Sequence, residues 1–221
     1  MNIAEEFTLL AYRNDGSPEI DSTRLNYGLG GALLLELALA HRIDAEDKKV
    51  VVRDPAPLGD PLLDEALGRI AAEPKVRKPG HWVSAFAKDT RRRTLDALVD
   101  AGVLTRQQDK VLLVFDRTRY PATDGVEPVP ETEARQRLVA AVSGTGPVEP
   151  RTAALCALVG ATGMDRKVFG DLNRQQTKKR LKEISEDSWA ATAVKKTIEE
   201  IQAAVALSAS MTATTVVLTA S

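Results

Sequence analysis

Lysine and arginine side chains are concentrated in one stretch of this 221-residue chain, residues 75–93. The stretch reads KVRKPGHWVSAFAKDTRRR and holds seven Lys or Arg residues against one acidic residue, Asp89. On a helix, Lys88 lies three residues from Arg91 and four from Arg92, so the three side chains can converge on one ligand. Phosphate groups favour such convergence, because charge-assisted hydrogen bonds from Lys and Arg are strong. The segment therefore predicts an anion site at Lys88, Arg91 and Arg92.

Two interpretations of the basic segment remain open at this point. If a helix starts near Thr90, its free backbone N–H groups add to the anion site. Trp82 could then anchor the segment at a membrane interface, since its ring is apolar and its N–H favours water. Each basic residue near an anionic leaflet contributes about 1 kcal/mol. In the alternative, the segment is a solvated basic face and Trp82 belongs to the core.

The residue types needed for catalysis or metal binding lack the required spacing. The two histidines, His41 and His81, stand apart without matching ligands, so we predict no zinc site. The GLGG run at Gly28 follows no strand and fails the dinucleotide spacing, so we predict no cofactor. Cys156 lies in the apolar run AALCALV and is predicted to be core. Glu36 is either a catalytic carboxylate or a buried glutamate bonded to a backbone group or an arginine, and we favour the second.

The element that must position the basic segment is an apolar helix over residues 25–43. From residue 29 to residue 40 its only side chain that is neither apolar nor glycine is Glu36. A helix that is apolar on every side has no solvent face and belongs in a protein interior or a membrane. The run falls short of the roughly 20 apolar residues of a membrane span. We expect Asp21, Ser22 or Thr23 to cap its start, and the glycines at 28, 30 and 31 to allow close packing.

Other helices should surround this central one, which makes the predicted fold mainly α. Helical spacing and capping signals predict further helices over residues 3–12, 61–70, 90–101, 131–142, 152–159, 173–184 and 188–207. Two strands are expected, at residues 49–53 and 110–115. The second turns at residues 116–119 into a returning segment, 120–123, to form a β-hairpin. Residues 211–221 read equally as a strand, a helical continuation or a tail.

The length, the net charge and the cysteine count limit the classes of protein to which this chain can belong. The length fits one domain, 1–221. A net charge of −1 argues against a globally basic nucleic-acid binder. A single cysteine fits a reducing compartment, and the first residues do not resemble a signal peptide. We therefore expect a cytoplasmic protein, or one that is peripheral at the cytosolic face of a membrane.

With these residues in view, the chain resembles the Golgi phosphoprotein family, the phosphatidylinositol 4-phosphate-binding effectors of animals and yeast. The resemblance is carried by GLGGALLLELALAHRI (28–43), APLGDPLLDEAL (56–67), RRRTLDALVDAGVLT (91–105) and the VLLVFDRTRYPATD hairpin. It implies a single mainly helical domain with a projecting β-hairpin used in self-association. It also implies a non-catalytic adaptor that binds a phospholipid headgroup and holds sugar-transferring enzymes by their cytosolic tails.

The resemblance also implies which residues would bind the headgroup. Two basic family positions fall on Lys88 and Arg91. The family's arginine in the central helix is replaced here by Gly30, and its tryptophan falls at or near Asp21. Arg92 would complete the site, and either Arg24 or Arg180 would substitute for the lost arginine. The composition, rich in Ala and Arg, is compatible with a bacterial relative, for which the ligand could be another anionic lipid or there could be no lipid ligand at all.

Two further functions are considered. The order of the helix at 90–101 and the hairpin that follows is typical of a winged helix, in which Arg91 to Arg93 would face nucleic-acid phosphates. The net charge and the apolar central helix count against it, so nucleic acid is the less favoured partner. A self-associating scaffold without a ligand, held together by the hairpin edge, is compatible with lipid binding. The hairpin therefore predicts a homo-oligomer.

Overall fold

The computed structural model describes residues 1–111 and 115–186, with the backbone alone at 109–111 and 115–116. Within these residues the chain is mainly α, as predicted, and carries two separate two-stranded antiparallel sheets. The helices are α1 (Ile3–Ala11), α2 (Ser22–Leu39), α3 (Pro61–Ala72), α4 (Pro79–Phe86), α5 (Thr90–Asp100), α6 (Val129–Ser143), α7 (Pro150–Thr162), α8 (Asp165–Val168) and α9 (Arg174–Ser185). The strands are β1 (Ile43–Glu46), β2 (Lys49–Val52), β3 (Gln107–Val111) and β4 (Phe115–Arg119).

Helix α2 forms the centre of the core, which confirms the prediction of a buried apolar helix. It packs against α1, α4 and α7, and also touches α3 and α5. Its leucines at 25, 29, 33, 34 and 37 are almost completely buried. The side chain of Asp21 caps its start by accepting from Arg24 N at 2.9 Å. The helix ends at Leu39 rather than at residue 43, because His41 adopts a positive φ of 56° and the chain then enters β1.

Local capping signals explain where the other helices begin. Asn2 and Glu5 form a capping box at the start of α1. Asp60 and Asn173 each accept from two backbone N–H groups at the starts of α3 and α9. The predicted helices before residue 187 are confirmed to within a few residues. Helix α7 runs past residue 159, the predicted end, and stops at Gly163, whose φ is 71°.

The strands depart most from prediction. Strand β1 was not predicted, and it pairs with β2 from Ile43 with Val52 to Glu46 with Lys49. The second hairpin exists, but the predicted positions of its strands and of its turn are wrong. The residues predicted as its turn, 116–119, belong to β4, and the pairing runs from Gln107 with Arg119 to Val111 with Phe115. Helices α4 and α8 were not predicted either.

Some predictions fall on residues that are not described. The helix at 188–207 and the open assignment of 211–221 lie outside the described residues, so one domain over 1–221 stays a prediction. Among the helices of the described part, none combines the length and the apolar character that crossing a bilayer requires.

Candidate anion-binding site

The predicted cations lie where α4 turns into α5. Residues 87–89 connect the two helices, and Lys88 is exposed in this connection. Arg91 lies on the first helical turn of α5. The hydroxyl of Thr90 donates to Phe86 O at 2.6 Å and ties the two helices together. Asp89 precedes α5 without making a side-chain capping bond. The first N–H groups of α5 are therefore left without a carboxylate cap from Asp89, beside the basic side chains.

Arg91 is held by two other elements. Its Nε donates to the Tyr12 hydroxyl at 2.9 Å, and its Nη1 lies 3.4 Å from Ser22 Oγ. The guanidinium carbon is 5.8 Å from the centre of the Tyr12 ring. Burial raises the pKa of Tyr12, and the Arg91 charge and hydrogen bond offset part of that rise. Within the described residues Arg91 forms no ion pair with a carboxylate, so its charge is positioned without being neutralised.

The neighbouring arginines are paired with acids. Arg92 lies 3.4 Å from Asp96, although 70% of its side chain is exposed. Arg93 donates to Glu65 at 2.6 Å. Lys88 has no acidic partner among the described residues. Arg91, Arg92 and Arg93 thus contact different neighbours. In the winged-helix alternative all three would face nucleic-acid phosphates.

The two proposed substitutes for the missing arginine lie elsewhere. Nη1 of Arg24 is 3.3 Å from the position a Cβ would take on Gly163, at the end of α7. Since side chains two residues apart on a helix do not face each other, Arg24 and Ser22 point to different sides of α2. Arg180 donates to the Gly146 carbonyl at 2.5 Å, on the loop between α6 and α7. The structure therefore brings Arg91, but neither Arg24 nor Arg180, to the Ser22 side of α2.

The positions of the two missing recognition groups have structural uses here. Asp21 caps α2, and its carboxylate already occupies the positive end of that helix dipole. Gly30 lies against the backbone of α4, where a Cβ would overlap the Val83 carbonyl oxygen and lie 3.2 Å from Ala87 N. An arginine at position 30 would consequently require α4 to move.

Burial and contacts decide between the alternative roles that the sequence left open for other residues. Trp82 does not anchor a membrane interface, because it is 4% exposed and stacks on Phe86 at 5.6 Å between ring centres. Glu36 accepts from Ile3 N at 2.5 Å and from Arg151 at 2.8 Å, as favoured over the catalytic interpretation. Cys156 is fully buried, and burial raises the pKa of its thiol to about 12.

Tyr12 and Ser22 are the two residues of this site that sequence reasoning missed. Tyr12 lies 79 positions from Arg91 in sequence, and Ser22 lies 69 positions away. Ser22 was noted only as a capping candidate, and no spacing signal connects either residue with Arg91. Their role follows from the packing of α5 against α1 and α2.

Comparison with known proteins adds two findings. The model of the Golgi phosphoprotein 3 (GPP34) family matches residues 3–201. Vacuolar protein sorting-associated protein 74 of Eremothecium gossypii is 28% identical over 150 residues, which cover 56% of this chain and 44% of that relative. The match therefore spans less than half the length of the relative.

Proposed function

This chain belongs to the Golgi phosphoprotein 3 family, and on that premise we propose that it is a peripheral, non-catalytic adaptor. It binds an anionic phospholipid headgroup of the phosphatidylinositol 4-phosphate type at the cytosolic face of a membrane. The contact residues are Lys88, Arg91 and Arg92, and Arg24, which points to another side of α2, is not one of them.

The main support for this proposal is the position of the Arg91 side chain. Tyr12 and Ser22 hold its guanidinium at the junction of three helices, and no described carboxylate neutralises it. A prepositioned cation loses less side-chain entropy when a phosphate binds. Lys88 adds a second positive charge three residues away in sequence, and uncapped N–H groups of α5 add a third source of positive potential.

The same geometry limits how well the site can distinguish one phospholipid headgroup from another. The carboxylate of Asp21 stands at the start of α2, and Gly30 has no side chain to offer. A hydrogen bond to a charged group is worth about 1.5–3 kcal/mol, so the loss of two such contacts removes most discrimination between anionic phospholipid headgroups. We therefore expect phosphatidylinositol 4-phosphate to be bound only modestly better than phosphatidylglycerol at equal surface charge.

Vesicle flotation tests the proposal. The protein is mixed at low salt with phosphatidylcholine vesicles containing phosphatidylinositol 4-phosphate, phosphatidylglycerol or neither. Lys88→Ala/Arg91→Gln should weaken binding to both anionic vesicles by roughly thirtyfold, because each cation near the surface contributes about 1 kcal/mol. Glutamine at 91 retains an amide donor for Tyr12. Wild-type binding should also weaken as salt screens the charges.

The matched control removes two charges elsewhere. Lys178→Ala/Lys182→Ala changes the net charge equally on the exposed face of α9. Equal binding by the two double variants would refute the assigned site, and failure of the wild type to float with any anionic vesicle at low salt would refute lipid binding.

We further propose self-association through the hairpin of β3 and β4, with the cytosolic tails of membrane enzymes as clients. Each of these strands has a single partner among the described residues, so both outer edges expose unpaired backbone groups. Replacing residues 107–119 with a short Gly-Ser linker should lower the mass measured by light scattering to that of a monomer, with the helical circular-dichroism spectrum retained. An unchanged mass would contradict the hairpin interface.

A further inference from the structure

The loop of residues 13–21 connects the two residues that hold Arg91. Tyr12 is the C-cap of α1, and Ser22 is the first residue of α2. Their hydroxyl groups lie 2.9 Å from Arg91 Nε and 3.4 Å from Arg91 Nη1, respectively. The loop also pairs directly with Tyr12, through a β-bridge between Tyr12 and Pro18. A displacement of the loop is therefore transmitted to the groups that position the Arg91 guanidinium.

Hydrogen bonds within the loop make it a compact unit. Gly16 N donates to Arg13 O at 2.8 Å, and Arg13 N donates to Ser17 O at 2.9 Å. The Asp15 carboxylate accepts from Ser17 Oγ at 2.5 Å and from Ser17 N at 2.8 Å, which lowers the pKa of Asp15. Gly16 permits this turn because its φ is 79°, a conformation that glycine adopts without strain. We therefore expect the loop to shift as a whole.

The base of the hairpin of β3 and β4, where the chain leaves β4, holds the loop in place. Gly16 O accepts from Tyr120 N and Asn14 O accepts from Ala122 N, each at 3.3 Å. A Cβ atom on Gly16 would lie 2.4 Å from the backbone nitrogens of Tyr120 and Pro121. The approach is so close that no side chain fits at this position. The base of the hairpin thus fixes the loop, and through it the partners of the guanidinium.

We propose that the loop of residues 13–21 is a positioning element for headgroup binding, fixed by the contact of Gly16 with the base of the hairpin. This inference rests on the proposed function, because it concerns the affinity of the same site. The loop acts through the two hydroxyl groups that hold the guanidinium. A guanidinium that is held before binding loses less conformational entropy when a phosphate arrives. Headgroup affinity should therefore fall when the loop is displaced, even though all three cations of the site are retained.

Gly16→Ala in the full chain tests the proposal, with Gly125→Ala as the matched control. In the first variant the new methyl group collides with backbone atoms that cannot rotate away. Gly125 has a similar φ of 70°, and nothing lies within 4 Å of its Cβ position. The control therefore has the same backbone strain without the collision. Both variants should keep the helical circular-dichroism spectrum of the wild type.

The first readout is the Arg91 Nε–H signal in ¹⁵N nuclear magnetic resonance spectra recorded without lipid. The signal that is missing from Arg91→Gln identifies it. Gly16→Ala should move this proton upfield and speed its exchange with water, because its hydrogen bond to Tyr12 weakens. Gly125→Ala should leave the signal in place. A purely structural role of Gly16 would lower the melting temperature without moving this signal.

The second readout is the affinity for inositol 1,4-bisphosphate, a soluble form of the headgroup, measured by isothermal titration calorimetry at low salt. A soluble headgroup binds one site at a time, so the number of subunits does not change its apparent affinity. Gly16→Ala should raise the Kd roughly tenfold, the effect of losing about one charged hydrogen bond. Gly125→Ala should leave the Kd unchanged.

Asp15→Ala keeps the test decisive if Gly16→Ala does not fold. It removes the acceptor of the two Ser17 hydrogen bonds without adding a collision. The loss of an acidic side chain by itself would strengthen the binding of an anion, whereas a loosened loop should weaken it. Weaker binding of inositol 1,4-bisphosphate by Asp15→Ala therefore supports the proposal, and equal or stronger binding overturns it.

Two further results would overturn the proposal. The first is an Arg91 Nε–H signal that stays in place in folded Gly16→Ala. The second is an equal increase of the Kd in Gly16→Ala and Gly125→Ala. Failure of the wild type to bind inositol 1,4-bisphosphate would instead refute the proposed function, and the Arg91 signal would still decide whether the loop positions the guanidinium.

Discussion

Glu131 is an acid whose ionisation is set by its burial and by two charged neighbours. It lies on the first turn of α6 and is 4% exposed, and its Oε1 accepts from Arg135 Nη2 at 2.6 Å. Burial raises its pKa to about 7, because the Arg135 bond offsets only part of the desolvation and Glu127 adds a repulsive charge. The folded chain therefore binds the Glu131 proton more tightly than the unfolded chain does.

Because of that difference, the free energy of unfolding depends on pH, and the direction of the dependence can be stated. Where the folded state holds more protons, the free energy of unfolding falls as pH rises. The Glu131 contribution is complete below about pH 4.5 and is lost as pH rises through about 7. Relative to Glu131→Gln, the wild type should lose roughly 3 kcal/mol of unfolding free energy across that window, as measured by urea denaturation. Glu133→Gln, on the exposed side of α6, is the control. Parallel profiles for wild type and Glu131→Gln would contradict the assignment.

The crossing of α2 and α4 depends on the absence of a side chain at Gly30. A Cβ there would overlap the Val83 carbonyl oxygen, which belongs to backbone and cannot rotate away. Gly30→Ala should therefore lower the free energy of unfolding by about 1–3 kcal/mol, the usual cost of overpacking. Gly68→Ala on α3 is the matched control, because nothing lies within 4 Å of its Cβ position. It should stabilise the protein by roughly 0.5–1 kcal/mol. Thermal melts that move in the same direction for both variants would refute the close packing.

The elements differ in how far the sequence could predict them. Helices α2 and α3 were predicted because each has a local signal in the sequence, the apolar run of α2 and the Asp60 cap of α3. Such signals involve residues only a few positions apart, so they are visible without the tertiary structure. Strand β1 reads IDAE, which alternates apolar and polar residues, but the alternation lasts for only four residues and the helix predicted over 25–43 had already included Ile43. The apolar run VLLVF locates the second hairpin but does not fix its register, since period-two alternation is missing.

The candidate site shows the same division between local and long-range information. The spacing of Lys88 and Arg91 is local, so the sequence alone was enough to propose both residues as candidates. The contact of Arg91 with Tyr12 and the fit of Gly30 against Val83 depend on helix packing between distant segments. Without the packing of α2, α4 and α5, no pattern in the sequence links these residues.

At the scale of the whole molecule, a partly buried charge cluster joins the chain start to the central helix. Glu36 of α2 accepts from Ile3 N and from Arg151 Nη1, and Arg151 of α7 also donates to the Met1 carbonyl at 2.7 Å. Arg151 Nε lies 3.6 Å from Glu6 of α1, which in turn accepts from Arg137 of α6. One cluster thus connects α1, α2, α6 and α7.

A double-mutant cycle on Glu36 and Arg151 tests whether this cluster acts as a unit. Removing either partner leaves the other charge half-buried, so Glu36→Gln and Arg151→Met should each destabilise the fold by about 3 kcal/mol. The double variant should cost less than the sum of both, with an interaction free energy of roughly 1–3 kcal/mol in urea denaturation. The pair Lys167 and Glu19 is the control, at 2.9 Å but with half of the lysine side chain exposed. Its cycle should give about 1 kcal/mol or less, because solvent screens exposed pairs. Equal interaction energies in the two cycles would mean that Glu36 and Arg151 are held together by the packing of the helices and add no more stability than a surface pair.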